Sequence, residues 1–213
     1  MPFAISDNEK IYYETAGQGE VLVFIMGLGL PHQEWQNQIE HFQKSYRVIA
    51  IDNRGIGKSS KVGEFSIEQF ARDVHAVLEK EEIDSCSLIG VSMGSLIVQA
   101  CYHLFPQKVK SLVIAVPSFG IGAPFYVYPP AEVAQTIGTS AVDSNFERAK
   151  KRLEVAYHPD YMCQEGCSAE DIIAQRKSYG LSLEIYNKQY NAILNYNCVP
   201  GLSEIKVPVL IIN

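Results

Sequence analysis

A serine stands between two glycines where an apolar strand pattern gives way to a helical one. Residues 90–94 read GVSMG, after an apolar run that begins at Cys86. In a Gly-x-Ser-x-Gly turn the chain bends so sharply that side chains at Gly90 and Gly94 would collide. The Ser92 Oγ then projects alone at the carboxyl edge of a sheet. This placement is typical of a nucleophile in acyl transfer.

Attack by a serine on a carbonyl creates an oxyanion, which two N–H donors usually stabilise. The helix expected to begin at Met93 would aim its first N–H groups and its positive dipole end at Ser92. A second donor is the Leu28 N–H, because Gly27-Leu28-Gly29 directly follows another apolar strand pattern. We therefore predict an oxyanion hole made by Leu28 and Met93. The structural alternatives are an inert serine in a glycine-lined turn and a flexible strand exit.

Two other glycine patterns are incomplete. Gly27-x-Gly29 could begin a dinucleotide fingerprint, but the third glycine position is His32. The stretch GIGKS at 55–59 resembles the end of a phosphate-binding loop, but its leading glycine position is Asp52. The sequence therefore favours neither kind of nucleotide site.

The elements that would hold Ser92 alternate along the first half of the chain. An early strand pair is expected at 2–6 and 10–16, turned by Asp7 and Asn8. Apolar strand runs follow at 21–26, 46–51, 86–91 and 112–116. Strands this continuously apolar are buried on both faces, as in a parallel sheet covered by helices. The sequence therefore predicts an α/β fold.

Helical spacing fills the gaps between these strands. Trp35, Ile39 and Phe42 lie on one helical face. Ser66 and Gln69 have the spacing of a capping box in front of a second helix. A third apolar stripe runs from Leu96 through Leu104 and Phe105 until Pro106 stops it.

Residues 118–202 have a different pattern, with Gly- and Pro-rich turns followed by helix-like segments. One segment carries Phe146, Ala149 and Leu153, and another is started by Ser168. An apolar strand run then returns at 207–212. We predict a core at 1–117, a helical cap at 118–202, and a return to the core at 203–213 that holds the last strand present.

Composition excludes several other classes of protein. The 213 residues carry a net charge of −6, which argues against nucleic-acid or anionic-membrane partners. The N-terminus has no secretory pattern, and no apolar run approaches the ~20 residues of a membrane span. Five scattered cysteines favour reduced thiols in the cytoplasm, with no metal site at zinc-finger spacing. We expect a cytoplasmic protein without a metal or organic cofactor.

The order of four segments, FIMGLG, IDNRGIGKSS, GVSMGS and VPVLIIN, resembles the α/β-hydrolase superfamily, and within it esterases and lactonases of the 3-oxoadipate enol-lactonase type. The resemblance implies a mostly parallel sheet with helices on both faces and a helical cap. It also implies Ser92 as nucleophile and Leu28 and Met93 as oxyanion donors. Met26 stands where the family often has a histidine that organises the loop.

In that family an acid follows the strand that reads PVLII here, and a histidine follows one further strand. The sequence ends at Asn213, before either position. We therefore expect a chain truncated at its C-terminus, without the last strand and helix, and inactive or weak. His32 and His158 could approach Ser92, although neither occupies the family's base position. His41, His75 and His103 are interpreted as surface or packing residues.

The leading hypothesis is a serine hydrolase that acts on a small carboxylic ester or lactone through an acyl-enzyme at Ser92. One alternative is a non-catalytic binding or interaction protein on the same fold. Another is a peptidase, a carbon–carbon hydrolase or a haloperoxidase-like member. The sequence sets neither the substrate nor the oligomeric state.

Overall fold

A computed structural model describes residues 2–117, 146–164 and 166–213. The described chain starts with an antiparallel pair, β1 (Phe3–Ser6) and β2 (Glu9–Ala16). Asp7 and Asn8 join the two strands with φ of 48° and 64°. Two-residue hairpin turns favour this left-handed conformation at both positions, and Asp and Asn tolerate it well. The predicted strand pair is therefore present, with its turn at the predicted residues.

In the described residues, seven strands form one sheet in the order β1-β2-β4-β3-β5-β6-β7. The strands after β2 are β3 (Val21–Ile25), β4 (Arg47–Ile51), β5 (Cys86–Val91), β6 (Val109–Ala115) and β7 (Val209–Ile212). β2 pairs antiparallel with β4, and every pairing among β3 to β7 is parallel. This confirms the predicted mostly parallel α/β sheet.

Helices cover both faces of the sheet. The first three are α1 (Gln36–Phe42), α2 (Ile67–Lys80) and α3 (Met93–Leu104). Side chains alternate along β3, so that Val23 and Ile25 pack in the cluster with α2 and α3. Phe24 points to the other face and packs with Trp35 and Ile39. An apolar residue at every position of a central strand is needed because both faces are buried.

The capping box predicted at the start of α2 is only half formed. The Ser66 side chain accepts a hydrogen bond from the Gln69 N–H, as an N-cap residue does. The Gln69 side chain, however, donates to Ser6 Oγ and Asp73 Oδ1 instead of returning to the cap. Gln69 is fully buried, so tertiary partners compete successfully with the local one.

The apolar stripe predicted for α3 wrongly included its last two residues, Leu104 and Phe105. Leu104 is 39% exposed, and Phe105 leaves the helix with φ of −138°. The residue before a proline is sterically disfavoured in the helical region, and Pro106 follows directly. Phe105 instead stacks on the His75 ring with centroids 3.9 Å apart.

Four helices lie between β6 and β7 in the described part of the chain: α4 (Phe146–Ala156), α5 (Pro159–Met162), α6 (Ala169–Ser178) and α7 (Leu183–Leu194). Leu153 of α4 packs with Ile172 and Ile173 of α6 in a small separate cluster. Ser168 caps α6 by accepting the Asp171 N–H, as its position predicted. The cap boundaries 118–202 stay a prediction, because 118–145 and 165 lie outside the described residues.

β7 forms the edge of the described sheet beside β6. Its side chains are 41–58% exposed, in contrast to the buried strands at the centre. That a further strand and helix are missing beyond it stays a prediction.

Candidate active site

The register of the sheet brings four strand ends to one edge. Ile25 at the end of β3 pairs with Ile51 at the end of β4 and with Gly90 near the end of β5. Val91 in turn pairs with Ala115 at the end of β6. Because parallel strands point the same way, the loops that follow all four strands lie together at the carboxyl edge. In open α/β sheets this is where ligands bind.

Ser92 lies at this edge, between β5 and α3, in a conformation that few residues adopt. Its φ is 53° and its ψ is −116°. The Ser92 N–H donates to the Ala115 carbonyl at 3.0 Å, and its own carbonyl accepts from the Ser95 N–H at 2.9 Å. The side chain is exposed and makes no capping hydrogen bond to α3. The strained turn therefore leaves the Oγ available at the helix N-terminus.

The glycines around Ser92 are required by contact with backbone. A Cβ on Gly90 would lie 2.2 Å from the Gly94 carbonyl oxygen. A Cβ on Gly94 would lie 2.2 Å from the Ile25 carbonyl oxygen. Gly27 is less crowded but still tight, since its Cβ would be 3.2 Å from Ser92 Cβ. The loop after β3 and the turn after β5 are therefore in direct contact.

The two predicted oxyanion donors flank the serine. Met93 is the first residue of the 12-residue α3, so its N–H has no partner within the helix. Leu28 follows Gly27, the residue that contacts Ser92. Among the described residues, neither N–H donates a hydrogen bond to another group. Both N–H groups are free to donate, and the roles of Leu28 and Met93 as oxyanion donors remain a proposal.

Side chains from distant parts of the chain hold the loop after β3. Asn53 Nδ2 donates to the Met26 carbonyl at 2.9 Å. The Gly29 N–H donates to Gln189 Oε1, also at 2.9 Å. Neither amide was evident from the sequence, because no local pattern links positions so far apart. Both side chains are at most 3% exposed, so these bonds are shielded from water.

His32 is fixed by two carboxylates. Its Nδ1 lies 2.8 Å from Asp52 Oδ1, and its Nε2 lies 3.2 Å from Glu14 Oε1. The His32 backbone N–H also donates to Asp52. Burial alone would lower the pKa of His32, but the hydrogen bond and charge of Asp52, with the charge of Glu14, raise it above its ordinary value. The His32 ring, an imidazolium below its raised pKa, therefore ties the loop after β3 to the loop after β4.

We expect His32→Gln to change how stability depends on pH. A raised pKa means that His32 stabilises the fold fully below its unfolded pKa of about 6.5, and that this contribution is lost as pH rises through the folded pKa. Loss of the charge partner of buried Asp52 should cost about 3 kcal/mol at low pH. Urea unfolding of parent and variant at several pH values measures the difference. It should shrink above roughly pH 6.5.

The exposed His41, changed to Gln, provides the control for that series. It should shift the free energy of unfolding by less than about 0.5 kcal/mol at every pH. A parent-to-variant difference for His32 that stays constant across the pH range would contradict the imidazolium assignment.

None of the five histidines, all of which lie in the described part of the chain, hydrogen-bonds to Ser92. The four besides His32 contact other groups: His41 the ring of Phe42, His75 the ring of Phe105, His103 the backbone at Gly201, and His158 the N–H of Asp160. The possibility that His32 or His158 reaches Ser92 therefore finds no support in the geometry.

The charged side chains in the loop after β4 bind partners inside the protein. Arg54 pairs with Asp73 through two hydrogen bonds, at 3.0 and 2.7 Å, and both side chains are buried. The Asp52 carboxylate accepts the Lys58 N–H and lies where a Cβ on Gly57 would fall. A carboxylate inside this glycine loop would repel phosphate, which agrees with the incomplete phosphate-loop pattern.

The buried cysteine thiols do not compete with Ser92 as nucleophiles. Cys86, Cys101 and Cys198 are buried, and burial raises the pKa of each thiol, to about 12 for Cys86 and about 11 for Cys198. A thiol with so high a pKa contains almost no thiolate near neutral pH. Cys163 is exposed and lies in the turn after α5.

Metal and membrane features are absent from the part of the chain that the structure describes. In these residues, no three His, Cys, Asp or Glu side chains are grouped as metal ligands would be. None of the described helices combines the length and apolar character that a membrane crossing requires.

Known proteins share this arrangement of strands and helices. A family model described as alpha/beta hydrolase fold matches residues 20–138. The chain is 30% identical to 3-oxoadipate enol-lactonase 2 of Acinetobacter baylyi over 97% of its own length and 76% of that protein. Both matches include the strand-to-helix turn at Ser92.

This chain is also similar to proteins of solved structure. Est816, described as an N-acyl homoserine lactone degrading enzyme, matches with a TM-score of 0.78 at 26% identity, covering 99% of this chain and 80% of that one. The enol-lactonase from Burkholderia xenovorans LB400 matches in fold, with a TM-score of 0.76 at 22% identity over 99% and 80% of the two chains. The chain therefore belongs to the α/β-hydrolase family of enzymes, among relatives that include lactonases and esterases.

Proposed function

We propose that this chain is a serine hydrolase for small carboxylic esters or lactones, with Ser92 as nucleophile. One observation carries the proposal: Ser92 is exposed in a strained turn, with the N-terminus of α3 on one side and Gly27 on the other. A non-glycine residue in such a conformation is energetically costly, and strain of this kind concentrates at active sites. The side chain has no structural role that would require the strain.

The proposed reaction begins when the Ser92 Oγ attacks the ester carbonyl carbon. The serine proton passes to a base, and the carbonyl oxygen becomes an oxyanion that the Leu28 and Met93 N–H groups hold. Collapse of the intermediate breaks the bond to the leaving oxygen, which takes the proton back from the base and departs as the alcohol, and an acyl group stays on Ser92. Water then attacks the acyl group and releases the acid. In a lactone the alcohol and the acid remain one molecule.

In the part of the chain that the structure describes, the proposed site has no histidine next to Ser92 that could act as its base. No histidine hydrogen-bonds to Ser92 in the described residues, and a serine without an adjacent base is a poor nucleophile near neutral pH. We therefore propose that acylation and deacylation are both slow in this chain. Activated esters, whose leaving groups need little protonation, should react first.

Some of the similar proteins act on lactones by name, while another is a putative carbamate hydrolase. Two of them carry lactonase activity in their names, and a lactone is a cyclic ester. An amide places a greater demand on the base and acid, because a poor leaving nitrogen must be protonated. The proposed site, with good oxyanion donors and no adjacent imidazole, should therefore discriminate against amides.

A test compares a nitrophenyl ester, a small lactone and the matching nitroanilide, with added imidazole as an external base. We expect ester and lactone cleavage to rise in proportion to imidazole after subtraction of the protein-free rate, and anilide cleavage to stay at that background. The external base replaces the one that Ser92 lacks. Anilide cleavage at the ester rate would contradict the substrate class. A fast, imidazole-independent ester rate would contradict the missing base.

The placement of the histidines also favours a second candidate, a protein that keeps the fold but only binds its ligand. Such a protein would bind esters or acids without breaking a bond. Calorimetric binding of an ester that is never cleaved, with or without imidazole, would support this candidate over the enzyme.

A further inference from the structure

One buried amide joins the helical region to the loop after β3. Gln189 lies on α7 and is fully buried. Its Oε1 accepts the Gly29 N–H at 2.9 Å, and its Nε2 donates to the Arg54 carbonyl at 2.9 Å. Both ends of the amide are therefore satisfied by backbone groups of two different loops, those after β3 and β4. Shielded from water, such paired bonds resist exchange with solvent.

The same face of α7 makes apolar contacts with these loops. Ile185, one helical turn before Gln189, lies where a Cβ on Gly55 would be 2.7 Å from its Cγ2. Leu181, just before the helix, lies equally close to Gly29. Residues four apart share one helical face, so Ile185 and Gln189 contact the two loops from the same face of α7. The packing of α7 and the position of both loops are thus linked.

The Gly29 bond matters because of the peptide that precedes it. The Leu28 N–H belongs to the peptide between Gly27 and Leu28. The carbonyl just before that peptide, on Met26, is held by Asn53 at 2.9 Å. The N–H just after it, on Gly29, is held by Gln189. The peptide that carries the proposed oxyanion donor is thus anchored on both sides while its own N–H stays available.

We propose that Gln189 is a positioning residue that fixes the Leu28 N–H beside Ser92, so that the seating of α7 controls how well the oxyanion is held. This inference rests on the proposed function of Ser92. Gln189 touches neither Ser92 nor the reacting atoms and acts through the Gly29 peptide.

The test compares Gln189→Met with Asn187→Met, a control at an exposed position on the same helix. Methionine keeps the length of the side chain and removes both hydrogen bonds. The rate of phosphonylation of Ser92 by a fluorophosphonate should fall roughly tenfold in Gln189→Met, because misplaced catalytic groups lose rate steeply. Its apparent affinity for the probe should stay unchanged. Asn187→Met should behave like the parent in both respects.

Hydrogen exchange gives a readout that does not depend on reactivity. We expect the Gly29 amide to exchange roughly tenfold faster in Gln189→Met, since it loses its acceptor, while amides in β5 keep the parental rate. Gln189→Glu adds a rescue, because a protonated carboxyl can make both bonds. Its deficit in phosphonylation relative to the parent should shrink as pH is lowered.

The outcomes distinguish a failure of the positioning role of Gln189 from a failure of the proposed function of Ser92. If the parent is phosphonylated at Ser92 and folded Gln189→Met reacts at the parental rate, the positioning role is wrong and the proposed function stands. If the parent is never phosphonylated at Ser92, the proposed function fails, and the Gly29 exchange rate decides whether Gln189 holds the loop. Equal slowing in Asn187→Met, or a deficit in Gln189→Glu that is the same at every pH, overturns the inference.

Discussion

Ser92→Ala should abolish covalent labelling of the chain by a fluorophosphonate. The parent should gain one phosphonyl group per chain, because Ser92 is exposed at the N-terminus of α3, where the proposed donors would stabilise the developing charge. The variant has no oxygen at that position, so its intact mass should not change. Alanine is smaller than serine and makes no new contact at an exposed position. The variant should therefore fold like the parent.

Ser45→Ala is the matched control, because Ser45 is also an exposed serine but lies in the turn after α1. It should be labelled at the parental rate. Labelling of Ser92→Ala to the same extent as the parent would show that another hydroxyl is reacting, and the nucleophile assignment would be lost.

Gly94→Ala should destabilise the protein by about 3 kcal/mol, near the upper end for an overpacked core. The new methyl would lie 2.2 Å from the Ile25 carbonyl oxygen and 3.0 Å from the Met26 carbonyl oxygen. These are backbone atoms of β3 and its following loop, so neither can rotate away as a side chain would. The β3 end must shift, and the contact between its loop and Ser92 shifts with it. Urea unfolding measures the loss.

Gly180→Ala separates crowding from backbone strain. Gly180 has φ of +64°, but nothing lies within 4 Å of its Cβ position. Its replacement should cost about 1 kcal/mol through the left-handed conformation alone. Gly94 carries no such φ, so its cost is steric. Equal losses for the two variants, or a Gly94→Ala variant that keeps parental stability and labelling, would contradict the close packing of the turn.

Local sequence signals were sufficient for the framework of the site. The apolar run 86–91 and the helical spacing after it identified the β5 to α3 turn, and Gly90 and Gly94 meet backbone as their positions suggested. The turn at Asp7 and Asn8 was equally readable. Each of these features depends on contacts between neighbours or between adjacent strands, and the residue types record them directly.

Long-range polar contacts were not readable in the same way. Gln189 and Gly29 are 160 residues apart, and nothing near either position indicates the other. Gln69 suited a capping box by spacing, yet buried Asp73 and Ser6 compete for its amide. His32 was a candidate base only by its place after Gly29. Its two carboxylate partners lie on β2 and in the loop after β4, and they became evident only once the sheet was assembled.

The proposed acyl-enzyme at Ser92 can be tested directly by trapping it and locating the acyl group. The chain is mixed with a nitrophenyl ester, quenched in acid and digested, and the acylated peptide is identified by mass. Because deacylation should be slow without an adjacent base, we expect the acyl group to accumulate on the peptide containing Ser92. An acyl group found on another residue, or nitrophenol release above background with no acylated Ser92 peptide at any time, would contradict it.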